Sequence, residues 1–207
     1  MFRKNRVLLF LLLLFLLGWF HITEATPYSS LKKRLSSIKT MTGSFTQETY
    51  IKDLDKTQSF SGEFFMKPPE HLKWFYNSGS TDQIYITPTK VIIYQPSEHQ
   101  AFITSSKKMG LSSTSLSILL GLKDLERDFK VTEDRDCLLL KPLSESLMVK
   151  EIRLYLSRET SLVKKIVLLD AYENRTVIDI KTLKVNIPLD DRVFSFNPPE
   201  GTTLIEQ

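Results

Sequence analysis

Two histidines and three close carboxylate pairs are the residues best suited to catalysis or metal binding beyond the first twenty-five positions. His71 and His99 do not stand at metal-ligand spacing. Asp53 with Asp55, Asp134 with Asp136, and Asp190 with Asp191 fall in polar stretches that read as turns. The motifs that would organise such groups are missing: no His-Glu-x-x-His for zinc, no Gly-x-Ser-x-Gly nucleophile elbow, no Cys-x-x-Cys pair. With seven glycines in the whole chain, none of them grouped, there is no phosphate-cradling loop either. A carboxylate pair assembled from distant strands is beyond the reach of sequence spacing. The expectation is therefore a protein that is not an enzyme, with no metal site and no cofactor. Asn174-Arg175-Thr176 matches a glycosylation acceptor and reads as a turn. What remains is the chemistry of apolar contact, carried by thirteen Phe, seven Tyr and two Trp.

The N-terminus says where that chemistry is to operate. Arg3, Lys4 and Arg6 precede an uncharged apolar run from Val7 to Phe20, which is followed by Thr23-Glu24-Ala25. A basic region, a short apolar core and a small-residue end form a secretory signal, here with cleavage after Ala25. The run is shorter than the roughly 20 residues a membrane-spanning helix needs. Residues 1–25 are thus read as a signal peptide and 26–207 as one exported domain. The single cysteine, Cys137, is far from the cleavage site, so the chain is expected neither to carry a lipid of its own nor to form an internal disulfide. Cys137 lies in an apolar run with Leu138, Leu139 and Leu140 and reads as a buried small hydrophobe. Without the signal the net charge is +2, and the basic residues are scattered, so nucleic acid is not an expected partner. Lys32-Lys33-Arg34 and Lys107-Lys108 read as solvated surface.

The elements follow from periodicity. Leu31, Leu35 and Ile38 recur at helical spacing, with Ser29 or Ser30 available as a cap, so a helix is expected over about 29–39. From Ser44 the period is two. Phe45, Gln47 and Thr49 share one face, and Phe60, Gly62, Phe64 and Met66 share another strand's face. Pro68-Pro69 stops that strand; Leu72, Trp74 and Tyr76 then alternate with polar or outward residues. Further strands are expected at 83–87, 90–95, 100–104, 130–133, 136–141, 149–156, 162–170, 176–185 and 194–196, with short helices over 112–129. Turns every 8–12 residues or so make this a β-meander that forms a barrel or a curved sheet. Several strands are apolar on both faces, among them Val91-Ile92-Ile93-Tyr94 and Ile166-Val167-Leu168-Leu169. Such strands need cover on both sides. Helices with a second sheet or a partner would supply it; so would a curved sheet whose concave side holds a ligand cavity.

Four local patterns resemble the periplasmic outer-membrane lipoprotein carrier family, LolA. They are Gly43-Ser44-Phe45-Thr46-Gln47 after a short helix; Gly62-Glu63-Phe64-Phe65-Met66-Lys67-Pro68-Pro69 followed by Trp74; Tyr94-Gln95-Pro96 followed by Gln100-Ala101; and the ending Phe194-Ser195-Phe196-Asn197-Pro198-Pro199-Glu200-Gly201-Thr202. Leu119-Leu120-Gly121 stands where the family has its central helical insertion. The order and spacing of these patterns span nearly the whole exported chain. The resemblance implies a mainly β fold, an incomplete and strongly curved antiparallel barrel with a helical lid enclosing an apolar cavity. It implies a periplasmic chaperone that takes acylated lipoproteins from an inner-membrane ABC-type release complex, shields their acyl chains, and delivers them to the outer membrane, where a receptor would accept them. A monomer is expected, its apolar surface being interior.

A carrier must exclude water yet release its cargo, which favours aromatic and aliphatic side chains over directed polar bonds. The residues expected to face the cavity are Phe64, Met66, Leu72, Trp74, Tyr76, Ile84, Ile86, Ile92 and Tyr94 on the strands, with Leu119 and Leu120 from the lid. Trp74 is the strongest of these, a large amphipathic ring suited to a lipid-facing wall. One departure stands out. The family commonly has an arginine before the second-strand proline, associated with lid closure, where this chain has Pro68, with Lys67 one step earlier. Proline donates no such bond and lysine lacks the planar fork, so an identical hand-off is not implied. Two other readings fit the same residues: a carrier of another lipid or glycolipid, and a lipid- or lipoprotein-sensing regulatory module.

Overall fold

The computed structural model describes residues 26–106, 125–134, 137–144 and 148–206. Helix α1 spans Pro27–Ser36. Its cap is Thr26, whose hydroxyl accepts from the Ser29 amide, and Pro27 takes the first turn, where its missing N–H is not needed. The helix thus starts before the serines that the sequence offered as caps. Tyr28, Leu31 and Leu35 form its buried stripe.

The strands are β1 (Met41–Ile51), β2 (Lys56–Lys67), β3 (His71–Ser78), β4 (Gln83–Ile86), β5 (Lys90–Gln95), β6 (Gln100–Ser105), β7 (Phe129–Asp134), β8 (Cys137–Pro142), β9 (Val149–Leu156), β10 (Val163–Asp170), β11 (Arg175–Val185) and β12 (Thr203–Glu206). They form one twelve-stranded sheet in the order β12-β6-β5-β4-β3-β2-β1-β11-β10-β9-β8-β7. Two meanders, β1–β6 and β7–β11, meet at the β1–β11 seam, where Gln47 pairs with Ile178 and Phe45 with Ile180. A bulge at Ser44/Phe45 sharpens the bend there. Among the described residues the edge strands β12 and β7 are not joined, so the barrel is incomplete.

Curvature follows from the core. A flat sheet of this size would be roughly 50 Å across at about 4.8 Å per strand. Yet residues from both meanders, such as Leu72 and Val91 on one side and Leu138 and Ile152 on the other, belong to one buried cluster with Leu31 and Leu35 of α1. The sheet therefore curls around its own apolar face, and α1 covers that face as a lid. The lid continues at the 3-10 turn Leu125–Arg127, where Leu125 is buried with Phe129. The Tyr28 amide donates to Glu133 of β7, and Lys32 pairs with Glu126 at 2.9 Å, so the helix is fastened toward that edge.

The convex face of β3–β6 has its own cover. Beyond β11 the chain crosses it through the short turn Asp191–Phe194, and β12 then adds to β6 in parallel. Phe194 is buried against His71, and Phe196 tilts onto Tyr85 and Tyr94 with ring centres at 5.4 and 5.2 Å. Lys67 pairs with Asp191 and lies over the Phe194 ring. This segment covers β5, one of the strands that are apolar on both faces, through Phe196 on Tyr94. The expectation of a strand at 194–196 is corrected to a turn and extended chain, and β12 is an element the sequence reading did not anticipate.

At the far end of the seam Glu173 receives Lys52 and Lys150. Hydrogen bonding and charge from Lys52, then from Lys150, hold its carboxylate below the ordinary value of 4.5. A depressed carboxylate contributes stability that is present above its unfolded pKa and is lost as pH falls through the folded one. Glu173→Gln is therefore expected to narrow the gap in melting temperature between neutral pH and the acid side of 4.5, a small change because the group is exposed. Thermal melts of both proteins across that range check it.

Candidate functional site

The concave face is built around aromatic rings packed over glycines. Gly43 and Gly62 lie on this face of β1 and β2, paired with Phe64 and Phe45 respectively. A Cβ at Gly62 would sit 2.8 Å from the Phe45 ring, and one at Gly43 would sit 2.9 Å from the Phe64 ring. Without those Cβ atoms the rings lie down across the neighbouring strand. Trp74 then stacks on Phe45 with ring centres 3.7 Å apart and on Phe64 at 5.7 Å. Tyr76 meets Phe45 edge-on at 5.6 Å, an arrangement that the ring quadrupoles favour.

Five of the expected cavity residues, Phe64, Met66, Leu72, Trp74 and Ile86, are buried together in this wall. Tyr76 and Ile84 are partly buried and pack against it. The pairing Phe64–Trp74–Ile84 and Met66–Leu72–Ile86 runs straight across β2, β3 and β4. Ile92 and Tyr94 do not join them. Ile86 pairs with Val91 and Ile84 with Ile93, so Val91 and Ile93 continue the concave face, while Ile92 and Tyr94 lie on the convex one with Tyr85. The 87–90 turn sets that register, and a one-residue difference moves every side chain to the other face. Leu119 and Leu120 lie outside the described residues. The sequence reading missed the second half of the wall: Leu138 and Leu140 of β8, Ile152 and Leu154 of β9, Ile166 of β10 and Ile178 of β11, all buried in the same cluster. Their alternation within strongly apolar strands was the available signal.

Along β1 the concave face changes character. Met41, Gly43 and Phe45 give way to Gln47 and Thr49. The Tyr76 hydroxyl donates to Gln47 Oε1 at 3.1 Å, Gln47 Nε2 donates to Thr49 Oγ1 at 3.3 Å, and Thr49 and Thr176 share a bond at 3.2 Å. Burial pushes the Tyr76 hydroxyl's pKa up, which keeps it neutral. The Trp74 indole lies close enough to soften that rise, yet the two do not reach hydrogen-bond geometry, and the buried Trp74 Nε1 has no partner among the described residues. Pro68 stands at the family's arginine position, and Lys67 stands one step before it. Lys67 alternates outward from Phe64 and Met66 and pairs with Asp191, so it fastens the convex segment.

An open, curled sheet with an aromatic concave wall and a helical lid is the fold of the LolA superfamily. It is similar to a LolA superfamily protein of Nitrosomonas europaea, with TM-score 0.50 and 13% identity over 83% of this chain and 99% of that one. It is also similar to an uncharacterized conserved protein of Thermus thermophilus, with TM-score 0.54 and 12% identity over 87% of this chain and 97% of that one. Sequence narrows the class: residues 36–197 match the family described as outer membrane lipoprotein carrier protein LolA, and the chain belongs to it. Its relatives include outer-membrane lipoprotein carrier proteins of Legionella pneumophila, 29% identical over 98% of this chain and all of that one, and of Methylococcus capsulatus, 29% identical over 95% and 97%.

Proposed function

We propose that this chain is a periplasmic carrier that shields the acyl chains of lipoproteins and takes them from the inner to the outer membrane. The observation that carries this reading is the single apolar cluster that both meanders and α1 share on the concave face. Each methylene withdrawn from water is worth about 0.8 kcal/mol, so a chain of about sixteen carbons is worth roughly 12 kcal/mol when covered. A wall with few directed polar groups recovers that energy without fixing the cargo irreversibly. The family's name supports lipoproteins as the cargo. In this reading the chain is exported by the segment before Thr26, accepts cargo from an ABC-type release complex and passes it to an acceptor at the outer membrane, with no catalytic step of its own. The test is native mass spectrometry of the protein purified from its own periplasm, with extraction of what is bound. Triacylated lipoproteins that transfer to added membranes are the expected result. Free phospholipid or glycolipid alone would redirect the reading to another lipid carrier, and an empty protein held by a tight protein partner would redirect it to a regulatory module.

A further inference from the structure

The concave face contains more than an apolar wall. Trp74 is fully buried, and its indole N–H lacks a partner among the described residues. An unpaired buried donor costs free energy that an apolar side chain of the same size would not. Phe in its place would serve a purely apolar wall better. Beside it the hydrogen-bonded series Tyr76, Gln47, Thr49 and Thr176 crosses from β3 through β1 to β11. All four are uncharged and half-buried. They begin where the apolar part of β1 ends, so the concave face runs from hydrocarbon-like to amide-like along one strand.

That gradient matches one kind of molecule. An acyl anchor has long apolar tails, then ester and amide carbonyls, then a polar body. We infer that Trp74 Nε1, Tyr76 and Gln47 form a carbonyl-binding subsite for the ester linkages that join acyl chains to the cargo. The inference rests on the carrier reading and adds an orientation: tails under α1 beside Met41 and Phe64, polar body toward Thr49 and the β1–β2 turn. A neutral subsite suits a carbonyl, which needs a donor and no counter-charge. An N–H from Trp74 or an amide N–H from Gln47 would donate to the carbonyl oxygen, the Gln47 amide exchanging its bond to Thr49.

The test compares two synthetic triacylated cysteinyl lipopeptides, one with ester-linked chains and the other with the same chains linked by ethers, which removes those carbonyls. Binding is read by displacement of 1-N-phenylnaphthylamine from the purified chain. The wild-type protein is expected to bind the ester form about tenfold more tightly, the value of one well-placed hydrogen bond or two modest ones. Tyr76→Phe and Gln47→Leu should each reduce that preference toward unity while still binding the ether form. Equal affinity of the wild type for both forms, or a preference that survives both substitutions, overturns the subsite and leaves the carrier reading standing. Failure of the wild type to bind either lipopeptide, with the dye still displaced by other lipids, overturns the carrier reading and the subsite with it.

Discussion

Trp74→Ala is expected to cost about 3–5 kcal/mol, the range for removing a large aromatic from a packed interior. For a domain of this size that corresponds to a melting temperature lower by roughly 10 °C. The reason is local and specific. Trp74 is fully buried, Phe45 stacks on one side of it at 3.7 Å and Phe64 at 5.7 Å, and Leu72 and Ile84 flank it along and across the sheet. Removing the indole takes away the ring on which both Phe45 and Phe64 stack, and a sheet held by ladder bonds on both sides cannot close over the gap. Urea unfolding of both proteins measures the loss. A loss below about 1 kcal/mol would mean that the ring is not part of the packed wall. Trp74→Phe, which keeps a ring and removes the unpaired N–H, should cost distinctly less.

Gly62→Ala should cost about 3 kcal/mol or more, although it adds only one methyl group. A Cβ there would sit 2.0 Å from the Phe75 carbonyl oxygen and 2.8 Å from the Phe45 ring. The first contact is with the backbone of the neighbouring strand, so no rotamer change relieves it. β2 and β3 would have to separate, and the Phe45 ring would have to leave its place under Trp74. Gly201→Ala is the matching control. It has φ of +79° but open space around the new methyl, so only the left-handed backbone penalty of about 1 kcal/mol applies. Equal losses for the two variants, measured by chemical denaturation, would remove the close approach as the cause.

Most of the architecture was legible because its signals are local. Alternation over Phe60 to Met66 and over Leu72 to Tyr76 gave both the strands and the faces found in the structure, and the turn residues between them placed the meander. Phe64, Met66, Leu72, Trp74 and Ile86 share the buried concave face that alternation assigns them. Tyr94 and Ile92 were misplaced for a physical reason: a strand apolar on every residue has no phase of its own, and the register of β5 is dictated by the preceding turn. Cover for the convex face was also out of reach, because Phe194 and Phe196 act across about a hundred residues of chain to reach His71, Tyr85 and Tyr94. Phe194 and Phe196 entered the reading as a short strand and as part of a family pattern, and not as cover for distant rings. The polar series on β1 was visible as Gln47 and Thr49 on the face of Phe45, but its partners Tyr76 and Thr176 come from strands that only the three-dimensional register brings alongside.

The gap between β12 and β7 has a mechanical consequence. In a closed barrel the number of strands and their stagger fix the diameter, and widening it means breaking ladder bonds. Here the sheet ends on two unjoined edges. A change in twist spread over the strands of an open sheet would alter its interior width while every strand-to-strand bond stays in place, as in a leaf spring and not a rigid pipe. In the proposed carrier reading such a wall accommodates contents of different girth, with α1 fastened to Glu133 and Glu126 at the β7 edge.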